Sequence, residues 1–208
     1  MSIIFDNVTF SYKIPSPQDV LHEFSFQVNG GEKLGIFKQS GWGKSTLVKL
    51  ITGEEKLESG RIIIAGYEKQ NWKKMFSNLS ILFQEPDKQF VFPNLKDEYE
   101  FLTENENNKS RGKKINTTQK MDELARIFEF DLQKYISENR TIFSVSSEER
   151  KILQILFTIS GEEEYLIMDD PLLYLSEKSQ QQFLNYLSEI DKTILILARD
   201  KKPLRKVF

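Results

Sequence analysis

The chain contains no cysteine. Disulfides, thiolate nucleophiles and cysteine-ligated zinc are therefore excluded, and the absence fits a cytoplasmic setting. It has a single histidine, His22. That residue lies in a strand-like N-terminal stretch, away from every candidate motif, so a structural or solvent-facing role is expected of it. No charge of one sign dominates: 29 Lys and Arg stand against 31 Asp and Glu, for a net charge of −2. A basic footprint for nucleic acid is missing. No apolar run approaches the roughly 18–20 residues that a membrane helix needs. The opening "MSIIFDNVTF" has no basic segment followed by an apolar one, so no signal peptide is expected. Work at a membrane would be done from its surface, through a partner.

What is present suits a folded domain. The 208 residues are 39% hydrophobic and 29% charged, enough for one domain with a core and a small subdomain. In "IIFDNVTFSY", Ile4, Val8 and Phe10 fall on one parity, as in a half-buried strand. "FSFQV" repeats the pattern with Phe24, Phe26 and Val28 and ends in the turn "NGG". These two runs predict an antiparallel sheet. "KLGIF", "RIIIAG", "LSILF", "YLIMDD" and "TILILA" then read as short strands, several of them wholly apolar, as in a buried parallel sheet. Residues 86–140 are polar, with a helix carrying Met121, Leu124, Ala125 and Phe128 at helical spacing. They are expected to form an inserted helical subdomain, flanked by a core of residues 1–85 and 141–208. Ser146 and Glu149 have capping-box spacing at the start of another helix.

The first chemical signal is "KQSGWGKST", residues 38–46. A phosphate loop reads G-x-x-x-x-G-K-[ST], and its backbone N–H groups cradle a phosphate at a helix N-terminus. Strand, glycine loop and helix follow one another here in that order. Lys44 would oppose the β/γ-phosphates and Ser45 would ligate Mg²⁺; the bland alternative is a helix that merely begins with G-K-S-T. The second signal is Asp169 and Asp170 at the end of "YLIMDD". A strand-end carboxylate can hold Mg²⁺, and the next can orient an attacking water. Taken alone, a solvated strand end with two acids explains them as well.

The order of these stretches resembles the ATPase domain of ABC transporters, over nearly the whole chain. "FSY" resembles the aromatic loop, with Tyr12 stacking on adenine. "VLHEFSFQVNGGEKLGIF" resembles the approach to Walker A. "ILFQEPDKQFVFPNLKDEYEF" resembles the Q-loop, with Gln84 at the glutamine position. "YLIMDDPLLYLS" resembles Walker B and the D-loop, and "KTILILARD" the switch strand. The wording "FQxPDxQF" is most similar to the ATPases of energy-coupling-factor importers, which take up vitamins and transition-metal ions. The resemblance implies an α/β P-loop NTPase fold of the ABC-ATPase type. Its mostly parallel core sheet would carry an N-terminal antiparallel β-subdomain and an inserted helical subdomain. It implies ATP and Mg²⁺ as ligands. Lys38, Gln39, Ser40, Gly41, Trp42, Gly43, Lys44, Ser45 and Thr46 would surround the phosphates, with Ser144 supplied by the signature motif. Ser45, Gln84 and Asp169 would attend the metal, and Asp170, Gln84 and Arg199 occupy catalytic positions.

Several positions depart from the family. Lys38 stands where Walker A begins with glycine. Either it strains the backbone, at roughly 1–3 kcal/mol, or its ammonium turns toward the phosphates. Trp42 replaces a small residue. Asp170 replaces a glutamate and is one methylene shorter; a misplacement of about 1 Å can cost on the order of 100-fold in rate. "FSVSS", residues 143–147, replaces LSGGQ, so Val145 and Ser146 add side chains where close approach is needed. Arg199 replaces the switch histidine. Weak hydrolysis is therefore expected, with a more complete ATPase as partner in a heterodimer, a homodimer being the alternative. A membrane-spanning coupling subunit would dock near residues 84–100. A non-catalytic nucleotide-binding or scaffold subunit is the second reading. A soluble ABC protein of DNA repair or translation is disfavoured, because the chain has neither coiled-coil insertion nor tandem domain. The family usually continues well past the switch strand, whereas this chain stops at Phe208; a natural reduction and a missing tail both remain open.

Overall fold

The computed structural model describes residues 2–13, 18–39, 41–109 and 117–208. The chain is α/β and builds two four-stranded sheets. The first contains β1 (Ser2–Tyr12), β2 (Gln18–Asn29), β4 (Ser59–Ile64) and β5 (Tyr67–Glu68), in the order β2-β1-β4-β5. Its pairings are antiparallel. One parity in β1 differs from the sequence expectation. Ile3 and Phe5 are buried before Asn7, and Val8 and Phe10 after it, while Ile4 is not on the buried face. The reason is a register shift around Asn7, whose φ is 50°. An extra residue there moves every later side chain to the other parity. Opposite it, Gly60 has φ +85°, and a Cβ would lie 2.3 Å from the Asn7 carbonyl oxygen, so only glycine fits.

The second sheet has the order β3-β8-β7-β6, from β3 (Lys33–Phe37), β6 (Leu79–Leu82), β7 (Tyr165–Asp169) and β8 (Thr193–Ala198). β8 pairs in parallel with both β3 and β7. Every residue of β7 and β8 is buried. This is why both read as continuous apolar runs rather than alternating ones. Helix α1 (Lys44–Thr52) follows the loop after β3. It ends at Gly53, whose φ of 83° lets its N–H close on the Lys49 carbonyl. A short helix α2 (Trp72–Phe76) precedes β6.

The chain groups into two compact units. The first comprises Met1–Ile81, Glu163–Pro171 and Ile190–Phe208; the second comprises Leu82–Glu162 and Leu172–Glu189. The second unit is helical: α3 (Leu95–Lys109), α4 (Thr117–Ile127), α5 (Leu132–Ser137), α6 (Ser147–Ile159) and α7 (Glu177–Glu189). Met121, Leu124, Ala125 and Phe128 are buried at their helical spacing. Helix α6 starts with a full capping box between Ser146 and Glu149. Tyr135 also donates its hydroxyl hydrogen to Glu149, which raises the phenol's pKa and lowers the carboxyl's. Glu148 accepts from the Ser176 hydroxyl, the Ser179 hydroxyl and the Ser176 N–H, at 2.5, 2.7 and 3.0 Å. These bonds bind the entry of α7 to the start of α6 and hold the Glu148 carboxyl below its ordinary range.

Candidate nucleotide site

The first unit assembles the phosphate loop. The Lys38 N–H donates to the Ala198 carbonyl at 3.2 Å, extending the β3–β8 ladder by one residue. The loop then turns through Gly41 (φ +88°) and Gly43 (φ +95°), both in the left-handed region. At Gly43 a Cβ would meet the Val20 Cγ1 at 2.5 Å. Helix α1 begins at once with Lys44, which is only 7% exposed. Its Nζ donates to the Lys38 carbonyl at 3.4 Å, and among the described residues no carboxylate is in ion-pair range of it. A buried ammonium at a helix N-terminus, with a carbonyl as its hydrogen-bond partner among the described residues, fits an anionic ligand.

Ser45 supplies the second element. Its hydroxyl donates to Asp169 Oδ2 at 2.9 Å, and Asp169 is the last residue of β7, 3% exposed. A hydroxyl and a carboxylate brought together in this way are hard oxygen donors. They suit Mg²⁺, which takes one or two protein carboxylates and completes its shell with phosphates and water. No group of three or more His, Asp or Glu suited to a metal occurs among the described residues, so such a cation would depend on the nucleotide for ligands. Thr46 is buried, and its hydroxyl shares a 3.3 Å hydrogen bond with Tyr12. Tyr12 also packs edge-on against Phe10 and has the Lys49 ammonium over its ring at 5.7 Å. Gln39 is exposed beside Lys38. Ser40 lies outside the described residues.

The departures in this loop compensate one another. Lys38 is not among the residues with positive φ, so the missing glycine brings no left-handed strain. Its ammonium sits over the Trp42 ring, 4.5 Å from the centroid. Trp42 in turn packs edge-on against Phe24 at 5.3 Å. The two unusual side chains thus form one cation–π stack, braced by β2.

The next pair of departures also meets. Asp170 follows β7 with φ 42°, its N–H on the Leu197 carbonyl at 2.8 Å. Because β7 and β8 are neighbours, Arg199 arrives opposite it. Asp170 Oδ1 accepts from the Arg199 N–H at 3.2 Å, and Oδ2 from Arg199 Nε at 3.3 Å. Both carboxylate oxygens are therefore engaged, and the charge is matched by a guanidinium.

Gln84 and Ser144 belong to the second unit. Gln84 is half-buried directly after Phe83. Ser144 is exposed, its hydroxyl donating to the Thr141 carbonyl at 2.8 Å. Of the two residues expected to add side chains where close approach is needed, Val145 is buried, 6% exposed, and Ser146 is exposed. Ser146 is the N-cap of α6. The residues that replace the signature glycines therefore fill a core position and cap a helix. Phe143 is 66% exposed, with the Arg150 guanidinium 5.8 Å from its ring.

Residues 21–173 match the family model described as ABC transporter. The chain belongs to the ABC transporter family. Among curated relatives, it is 27% identical to the energy-coupling factor transporter ATP-binding protein EcfA1 of Mycoplasmopsis synoviae, over 95% of this chain and 74% of that protein. Among solved structures, the dimeric ATP-binding cassette MJ0796 in a post-hydrolysis state with ADP and Pi superposes with a TM-score of 0.79. That match has 18% identity and covers 98% of this chain and 90% of the other. The protein cbiO1 of Clostridium perfringens, part of an ABC transporter complex cbiONQ, gives 0.68 at 20% identity, covering 95% and 78%. These structural likenesses establish the ABC ATPase fold. None of the helices is long and apolar enough to cross a membrane among the described residues.

Proposed function

We propose that this ABC-family chain is the ATP-binding subunit of an energy-coupling-factor-like membrane importer for vitamins or metal ions, and that it binds ATP well but hydrolyses it weakly. It works from the membrane's cytoplasmic face, docked on a membrane-spanning coupling subunit. It pairs with a second, more complete ABC ATPase. Lys44, Gly41 and Gly43 hold the phosphates, Tyr12 meets the base, and Ser45, Asp169 and Gln84 attend Mg²⁺. Ser144 serves the partner's nucleotide. Mg²⁺, when bound, neutralises charge on the phosphates and fixes their orientation.

The observation that carries the weak-hydrolysis reading is the Asp170–Arg199 pair. Asp170 is the residue in line to orient water, and both of its oxygens are held by Arg199. The purified chain should bind ATP by calorimetry, with Lys44→Ala as the control. It should turn over far below a typical enzyme value of about 10 s⁻¹. Turnover at that level without a partner refutes the weak-hydrolysis reading. Absence of binding at millimolar ATP would favour the second reading, a scaffold subunit.

A further inference from the structure

Lys38 adds a charge where the phosphate-loop motif has a glycine, which has no side chain to offer. Its main chain is fixed on both sides. The N–H donates to the Ala198 carbonyl at 3.2 Å, and the carbonyl accepts from Lys44 Nζ at 3.4 Å. The residue is exposed, and among the described residues no carboxylate lies in ion-pair range of its ammonium. That ammonium rests on the Trp42 ring, 4.5 Å from the centroid.

The ring beneath it is firmly held. Trp42 stands between Gly41 and Gly43, both in the left-handed region, and packs edge-on against Phe24 at 5.3 Å. Phe24 meets Phe26 at 5.3 Å, and Phe26 stacks on Phe5 at 4.5 Å. Phe5 is 1% exposed. Four rings in a row thus tie Trp42 to the core of the antiparallel sheet. The ring is the fixed partner of the pair, and the flexible lysine stem is the movable one.

Distance brings the phosphates within reach of that stem. Because the Lys38 carbonyl oxygen meets Lys44 Nζ, bond lengths put the Lys38 Cα at most about 6 Å from the Lys44 ammonium. A lysine stem itself spans about 6 Å. An anion held by Lys44 is therefore reachable by rotation of the Lys38 stem alone. The energies favour the move. An exposed cation–π contact holds its ion by about twofold, whereas a charge-assisted hydrogen bond to phosphate is worth about tenfold.

We propose that Lys38 is a further phosphate-binding residue, parked on Trp42 while the site is empty, whose ammonium leaves the ring for the phosphate oxygens beside Lys44. This rests on the reading of the loop as a nucleotide site. The test pairs calorimetry with Trp42 emission, read in Trp72→Phe so that a single tryptophan remains. The probes are a non-hydrolysable ATP analogue and inorganic tripolyphosphate, which has no base to touch the ring. Both move Trp42 emission toward that of unliganded Lys38→Met, in which no ammonium covers the indole. Lys38→Met binds each probe about fivefold more weakly, the difference between the two contacts. Its emission stays still at saturating tripolyphosphate. Lys38→Arg keeps the charge and binds within about twofold of the unaltered chain. Unchanged affinity in Lys38→Met overturns the proposal, as does a tripolyphosphate-induced emission change that Lys38→Met retains. Affinity lost in Lys44→Ala but kept in Lys38→Met removes this proposal and leaves the nucleotide reading standing. No analogue binding by the unaltered chain overturns the nucleotide reading itself.

Discussion

Asp169 and Asp170 are neighbours at the end of one strand, yet their surroundings differ in kind. Asp169 is buried and takes a hydrogen bond from Ser45, beside the phosphate loop. Asp170 sits in a left-handed turn with both oxygens on Arg199. The first arrangement offers oxygens to a cation. The second pairs a carboxylate with a guanidinium. On the phosphate side, Gly41, Gly43 and Lys44 keep the motif's residue types, while Lys38 and Trp42 depart from them. On the other side, Asp170 and Arg199 pair with each other. Binding and hydrolysis are separable demands, and the proposed function assigns them to these two different surroundings.

Breaking the binding side should have the largest effect. Lys44→Ala removes the buried ammonium and should lower ATP affinity on the order of 1,000-fold by calorimetry, in the range for truncating one partner of a buried charge pair. Sharpening the hydrolytic side comes next. Asp170→Glu with Arg199→His should raise single-turnover hydrolysis roughly 100-fold while leaving ATP affinity within about threefold, since neither residue supplies uniform binding.

Two smaller effects test the frame around the comparison. Glu148 has a lowered pKa because Ser176 and Ser179 donate to its ionised form. Its stabilisation is present above the unfolded-state value of about 4.3 and is lost as pH falls through its lower folded value. Glu148→Gln should therefore flatten that part of the urea midpoint's decline between roughly pH 5 and 3. Its loss at neutral pH should be about 1 kcal/mol, a figure held low by partial solvent exposure. The smallest effect is expected from Lys38→Met. Removing the ammonium from the Trp42 ring should cost about 0.5–1 kcal/mol of stability and should shift Trp42 fluorescence, measured with Trp72→Phe in the background.

Much of this frame was legible beforehand, for physical reasons that can be named. "YLIMDD" and "TILILA" announce buried parallel strands because both faces of such strands are covered. The phosphate loop announces itself because close backbone approach demands glycine at fixed offsets. What stayed hidden depends on neighbours distant in sequence. Asp170 and Arg199 meet only because β7 and β8 are adjacent, which no local pattern encodes. The bulge at Asn7 reversed the parity of β1, because one extra residue is invisible to an alternation count. Helix α6 is buried from Lys151 to Ile159, Lys151 and Gln154 included, which its capping-box spacing alone does not reveal.

The most direct test is steady-state ATP hydrolysis by the purified chain at saturating ATP and Mg²⁺, after calorimetry has established binding. The account predicts tight binding with turnover at least tenfold below a typical value of about 10 s⁻¹, rising when Asp170 is changed to Glu and Arg199 to His. Full turnover in the unaltered chain, or no rise on freeing that carboxylate, would contradict it.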